Sequence, residues 1–237
     1  MSSSVLAWGL VPPILLIIYM YRLDKIEREP VGLIAKTFVF GMLSVIPAIL
    51  WEIIGEYIVL FIVPESMLYN ADMTENSVLY YFLEMFFVVA IAEETSKRAL
   101  ATLSVWKSPE FNFRFDAVIY YTTSALGFAA AENILYMTDY GTEIAISRLI
   151  PVHSICGIFM GYHMGLARTA ELDGDLAAAK RHKRHGLIIP VLIHGSYDFC
   201  LSVGGDLLYL AVLLFILVLT IVAWMSLKRY ARQDMPV

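Results

Sequence analysis

The feature that most constrains this chain is its division into successive apolar runs, most of them long enough to cross a bilayer as a helix. By the rule of about 20 residues per crossing, they fall near 4–21, 31–63, 77–105, 115–138, 144–167, 187–203 and 206–227. The expected fold is therefore all-α, a polytopic integral membrane helix bundle with about seven transmembrane helices, in a single membrane-embedded domain over residues 1–237. Composition agrees, with 59% apolar and 16% charged residues against roughly 25% charged in an average soluble domain. The second run is longer than one crossing needs and contains Pro47, Glu52 and Glu56, so a kink, a strong tilt or an interfacial turn is expected there.

The loops set an orientation. Arg22, Lys25 and Arg28 follow the first run, Lys107 and Arg114 follow the third, and Arg168, Lys180, Arg181, Lys183 and Arg184 separate the fifth from the sixth. Lys228, Arg229 and Arg232 follow the last, whereas neither Pro64 to Asn76 nor Thr138 to Ser147 holds a Lys or Arg. The positive-inside rule then puts the N-terminus out and the C-terminus in. Met1 to Leu10 lacks the basic region of a cleavable signal and reads as the start of a retained helix. The one soluble stretch of any size, Thr169 to His185, is too short for a domain, so function belongs within the bundle.

The net charge of −5 is spread over loops and helix ends, and no basic stripe suggests nucleic acid. Cys156 and Cys200 lack the spacing of a zinc or redox site and read as packing thiols.

Several polar residues interrupt apolar runs, and an intramembrane ionisable residue is a functional hypothesis by default. The third run carries Glu93, Glu94 and Lys97, with the lysine one helical turn beyond both carboxylates. The fourth carries Glu132 and Asn133, the fifth Arg148 and His153, and the sixth His194 and Asp198. At about 1.5 Å per residue, Glu93, His153, His194 and Asp198 come out roughly 13 to 22 Å from the cytosolic ends, with Glu132 somewhat deeper. Carboxylates and imidazoles converging at one depth are the ligand chemistry of zinc, and metal-bound water is a nucleophile near neutral pH. His194 and Asp198 share a helix face, so the carboxylate can fix the ring tautomer or itself ligate. His153 heads a ladder with Gly157, Gly161 and Gly165, which marks the fifth helix as a packing spine.

Other polar residues read more plainly. His163 belongs near the cytosolic end of its helix and His182 and His185 in a basic loop, so all three are expected to be interfacial or solvated. Glu52, Glu56 and Glu84 read as outward-end or packing residues, Lys36 as a snorkelling cation, and Tyr80, Tyr81, Trp106 and Trp224 as interface aromatics.

Together, Glu93-Glu94-x-x-Lys97, Phe128-x-x-x-Glu132-Asn133-x-x-Tyr136, His153 and His194-x-x-x-Asp198 resemble the PrsW family of intramembrane proteases, related to the CAAX prenyl endopeptidase and Abi group. The resemblance covers roughly residues 78 to 199, and the expected catalytic core spans about 78–203. Lys97 replaces the wider group's arginine, and Glu132 stands where prenyl endopeptidases have histidine; both departures suit PrsW.

The resemblance implies cleavage of a single-pass membrane protein near the membrane, as the first cut in an anti-sigma factor, by a multi-pass protein of the bacterial inner membrane. On this reading Glu93 is the general base, with Glu94 held by Lys97 or ligating. Glu132, His153 and His194 bind zinc if metal is used; otherwise the histidines and Asp198 position water and stabilise the oxyanion in a metal-independent glutamate mechanism. The rival classes are a proton- or cation-coupled transporter using the same cluster, a bis-histidine haem or quinone protein, and a noncatalytic adaptor.

Overall fold

The computed structural model describes residues 2–70, 75–145, 149 and 151–237. Its regular elements are helices: α1 (Ser3–Leu23), α2 (Val31–Leu43), α3 (Val45–Ile62), the single turn α4 (Glu65–Leu68), α5 (Val78–Phe82), α6 (Ile91–Val105), α7 (Arg114–Tyr140), α8 (Val152–Leu172), α9 (Leu176–Val203) and α10 (Asp206–Arg232). A π-helical segment, Leu83–Ala90, joins α5 to α6, and a short 3₁₀ turn, Thr142–Ala145, follows α7. Among the described residues, four stretches are long and apolar enough to cross a membrane: Ser3–Leu23, Val31–Ile62, Leu176–Val203 and Asp206–Arg232.

The second run breaks at Ser44, three residues before Pro47. The Ser44 hydroxyl donates to the Gly41 carbonyl at 2.6 Å, capping α2, and Pro47 then sits in the first turn of α3, where its missing N–H costs nothing. The fifth helix starts at Val152 rather than near 144, and Arg148 lies outside the described residues. The expected soluble stretch from 169 to 185 is mostly helical: α8 continues to Leu172 and α9 begins at Leu176 after a tight turn. The sequence expectation failed there because it followed apolarity, and helix ends facing water are polar.

The most buried helix is α7, not the one carrying the glycine ladder: every residue from Phe115 to Ala130 is buried. Small side chains make this possible. A Cβ on Gly41 would stand 2.0 Å from the Ser124 carbonyl oxygen, and one on Gly127 would stand 2.1 Å from that of Phe38, so α2 and α7 meet backbone to backbone. The ladder does what its spacing suggests, since Gly157, Gly161 and Gly165 bring α8 against Thr122, Ala117 and Arg114 of α7. Cys156 is buried and donates to the Pro190 carbonyl at 3.6 Å, and both cysteines are free.

The π-helical segment fits between two glycines. Val88 packs where a Cβ on Gly55 of α3 would stand, and Phe86 packs where one on Gly195 of α9 would stand, at 2.9 and 2.7 Å. Gly195 follows His194 directly, so this packing draws the start of α6 against the histidine. Runs of π-helix are rare and concentrate at functional sites; this one ends three residues before Glu93.

Candidate active site

Five of the seven residues singled out by the sequence are linked by hydrogen bonds and ion pairs around Lys97, and the other two each close on a histidine. Lys97 is 1% exposed. Its ammonium lies 2.8 Å from Glu93 Oε2, 2.8 Å from Glu94 Oε1 and 3.0 Å from His153 Nδ1, and 4.0 Å from the centre of the Phe128 ring. A buried ammonium needs such compensation, and three polar partners with an aromatic face supply it.

The histidines come from different helices, and their rings meet edge-on with centroids 5.1 Å apart. An ammonium only donates, so Nδ1 of His153 is its acceptor and the ring proton sits on Nε2. That Nε2 donates to Glu132 Oε2 at 2.8 Å. His194 differs: Nδ1 faces Glu94 Oε1 at 2.9 Å, and Nε2 faces Asp198 Oδ2 at 3.0 Å and Glu93 Oε2 at 3.6 Å. With carboxylate oxygens on both sides, the arrangement is satisfied by a doubly protonated ring.

The two adjacent glutamates have unlike surroundings. Glu94 is fully buried, while Glu93 lines a cavity of about 470 Å³ together with Glu132, Asp198, Tyr136 and Glu52. Val45, Ala48 and Ile49 of α3 form part of its apolar wall. Glu52 is the lining residue that sequence reasoning set aside; the available signal was an acid within the second apolar run, without a histidine on that run to draw attention to it.

The donor set suits a metal ion. Glu93, Glu94, His153 and His194 each offer a ligand atom, all within 4.8 Å of one another, and Glu94 Oε2 is a buried oxygen with no hydrogen-bond partner among the described residues. Glu132 lies outside that group of four, against His153. The Lys97 ammonium bonds to three of the four.

The chain matches the family model described as "PrsW family intramembrane metalloprotease" over residues 29–225. It is 33% identical to Protease PrsW of Oceanobacillus iheyensis, covering 95% of each chain, and 32% identical to Protease PrsW of Bacillus subtilis, covering 87% of this chain and 86% of that one. It is 30% identical to Protease PrsW of Shouchella clausii over nearly the full length of both. No solved structure matches it.

Proposed function

The chain belongs to the PrsW family of intramembrane metalloproteases, and we propose that it cuts a single-pass membrane protein near the membrane, using Glu93 as general base. Membership makes it a peptidase and removes the transporter reading. The substrate inferred from the resemblance is an anti-sigma factor receiving its first cut. The proposed topology has seven crossings with the N-terminus out, in the cell membrane of a bacterium; α5 to α6, α7 and α8 are then the three polar crossings.

One observation carries the assignment of Glu93: it is the carboxylate of the adjacent pair that lines the cavity. A cavity of about 470 Å³ walled by Glu52, Glu93, Glu132 and Asp198 has the room and the polar partners that water needs beside the base. Glu93 removes a proton from a water as its oxygen attacks the scissile carbonyl carbon. On the metal-independent course the oxyanion that forms is stabilised by the histidines with Asp198, while Lys97, whose three donors are taken by Glu93, Glu94 and His153, holds the carboxylate pair in place. The proton then passes to the amide nitrogen as the C–N bond breaks, leaving a carboxylate and an amine. Glu132 and Asp198 hold His153 and His194 in orientation. Because a helix hides its carbonyls, the substrate segment must unwind to reach the base.

Zinc, when bound, would be held by His153 and His194 with a carboxylate from Glu132 or Glu94, and would polarise the carbonyl as a Lewis acid. A metal-independent course is a second reading, favoured by the hydrogen bonds from Lys97 to three of the candidate ligands. Metal content of the untagged protein, measured for wild type, Glu132→Ala, His153→Ala and His194→Ala alongside cleavage of a single-pass substrate, separates them. One zinc per chain lost with His194→Ala, together with lost cleavage, supports the metal course. Cleavage by wild type that holds no zinc removable by Glu132→Ala, His153→Ala or His194→Ala supports the other.

A further inference from the structure

All five histidines of the chain fall into two clusters. His153 and His194 belong to the active site; His163, His182 and His185 converge elsewhere, where α8 and α9 approach their connecting turn. His163 and His182 face each other through their Nδ1 atoms at 3.4 Å, and the His163 and His185 rings are 5.3 Å apart. Each of the three offers a ring nitrogen, and these nitrogens all lie within 4.8 Å of one another.

We propose that His163, His182 and His185 form a second metal site, for a zinc-class divalent cation, that clamps α8 to α9. Three imidazoles on two helices with an open fourth position are a ligand set that zinc accepts. Two nitrogens bound to one tetrahedral zinc at about 2.0–2.1 Å stand roughly 3.3 Å apart, which matches the His163–His182 separation. As a direct hydrogen bond the same contact is long, beyond the roughly 3.2 Å limit usual for a nitrogen donor. His182 and His185 are one helical turn apart on α9, so both reach His163 from one face. His185 is exposed while His163 and His182 are half-buried, so a cation enters from solvent and keeps a position for water.

The site is separate from the chemistry. His163 is ten residues beyond His153 on α8, about 15 Å along the helix, and His185 is nine residues before His194 on α9, about 14 Å. Yet each of these helices delivers one active-site histidine, so a clamp at their joined ends stiffens both supports.

The test is zinc titration of the untagged full chain, with bound metal read by mass spectrometry and the unfolding midpoint read in parallel. Wild type is expected to hold one zinc per chain that His163→Ala and His182→Ala each lose and His194→Ala keeps. Zinc is expected to raise the wild-type midpoint more than those of His163→Ala and His182→Ala, which keep the His153 and His194 site but lose this one. Midpoints without zinc, similar in all variants, show that the substitutions have not unfolded the bundle; where His163→Ala lowers its own, the exposed His185→Ala replaces it, with the same loss expected. Equal zinc in wild type and the variants of His163, His182 and His185 overturns the proposal, as does a wild type that binds none there. Loss of the active-site metal alone, through His194→Ala, bears on the catalytic reading and leaves this one standing.

Discussion

The Lys97 ammonium on α6 donates to Nδ1 of His153 on α8 across 3.0 Å. This bond joins two segments 56 residues apart and fixes the His153 tautomer. It also sets a charged lysine at the centre of a carboxylate pair, where its removal leaves buried negative charge uncompensated. Lys97→Met is therefore expected to destabilise the protein by about 3–5 kcal/mol, the cost of breaking a buried pair by deleting one partner. Thermal unfolding in detergent measures it, and an unchanged midpoint would contradict the role given to Lys97.

Glu132 and Asp198 contact His153 and His194, and on the metal-independent course each acts through that histidine. Glu132→Gln and Asp198→Asn keep shape and remove charge, and each is expected to lower kcat by about 10–100-fold, the range for outer partners of functional histidines. The loss should be smaller than for Glu93→Gln. Steady-state cleavage by the two variants decides the order; losses equal to that of Glu93→Gln would move these residues into direct contact with the reaction.

Helix packing gives a matched pair of substitutions. A Cβ on Gly161 meets the Ala117 carbonyl oxygen at 2.6 Å, whereas one on Gly32 meets nothing within 4 Å. Gly161→Ala is expected to separate α8 from α7 and lower the unfolding midpoint. Gly32→Ala should be neutral or stabilising by up to about 1 kcal/mol. Comparable midpoints for the two variants would show that the close approach has been misread.

A pH effect is expected at the base of α1. Asp24, Glu29 and Asp116 lie buried together. Burial, then the neighbouring Asp234 carboxylate, pushes Asp24 up to about 6, and burial followed by the hydrogen bond to Asp116 pushes Glu29 well above the usual carboxylate range. The folded chain thus holds these protons more tightly than the unfolded one. Their stabilisation is complete below about pH 4 and is lost as pH rises through about 6 for Asp24, and higher still for Glu29. Unfolding midpoints should fall over that interval, and Glu29→Gln should flatten the alkaline part of the decline. A midpoint that rises from pH 5 to 8 would contradict the sign.

Much of this was legible in the sequence. Apolar runs located the helices, the glycine spacing located the face of α8 that meets α7, and the polar residues within the runs identified the cluster, because a buried charge requires a reason. The break at Ser44 was not legible, since hydropathy is uninterrupted there and the hydroxyl cap is local. The π-helical turn before Glu93 depends on the room left by Gly55 and Gly195, which come from other helices. Pairing within the cluster was hidden for the same reason: spacing along a helix gave His194 with Asp198 and Lys97 with one of the two glutamates, but not Lys97 with both, nor His153 with Glu132. The helical course of residues 176–186, which brings His182 and His185 to His163, was missed because charged residues there resembled a solvated loop.

The most direct test of the account is cleavage of a single-pass membrane substrate by purified wild type and Glu93→Gln, with matched unfolding midpoints. Glu93→Gln preserves size and hydrogen-bonding capacity while removing the base, and the expected result is a folded protein whose cleavage rate falls by at least about 10²–10⁴-fold. A folded Glu93→Gln variant that cleaves at the wild-type rate would contradict the assignment of Glu93 and, with it, the proposed mechanism.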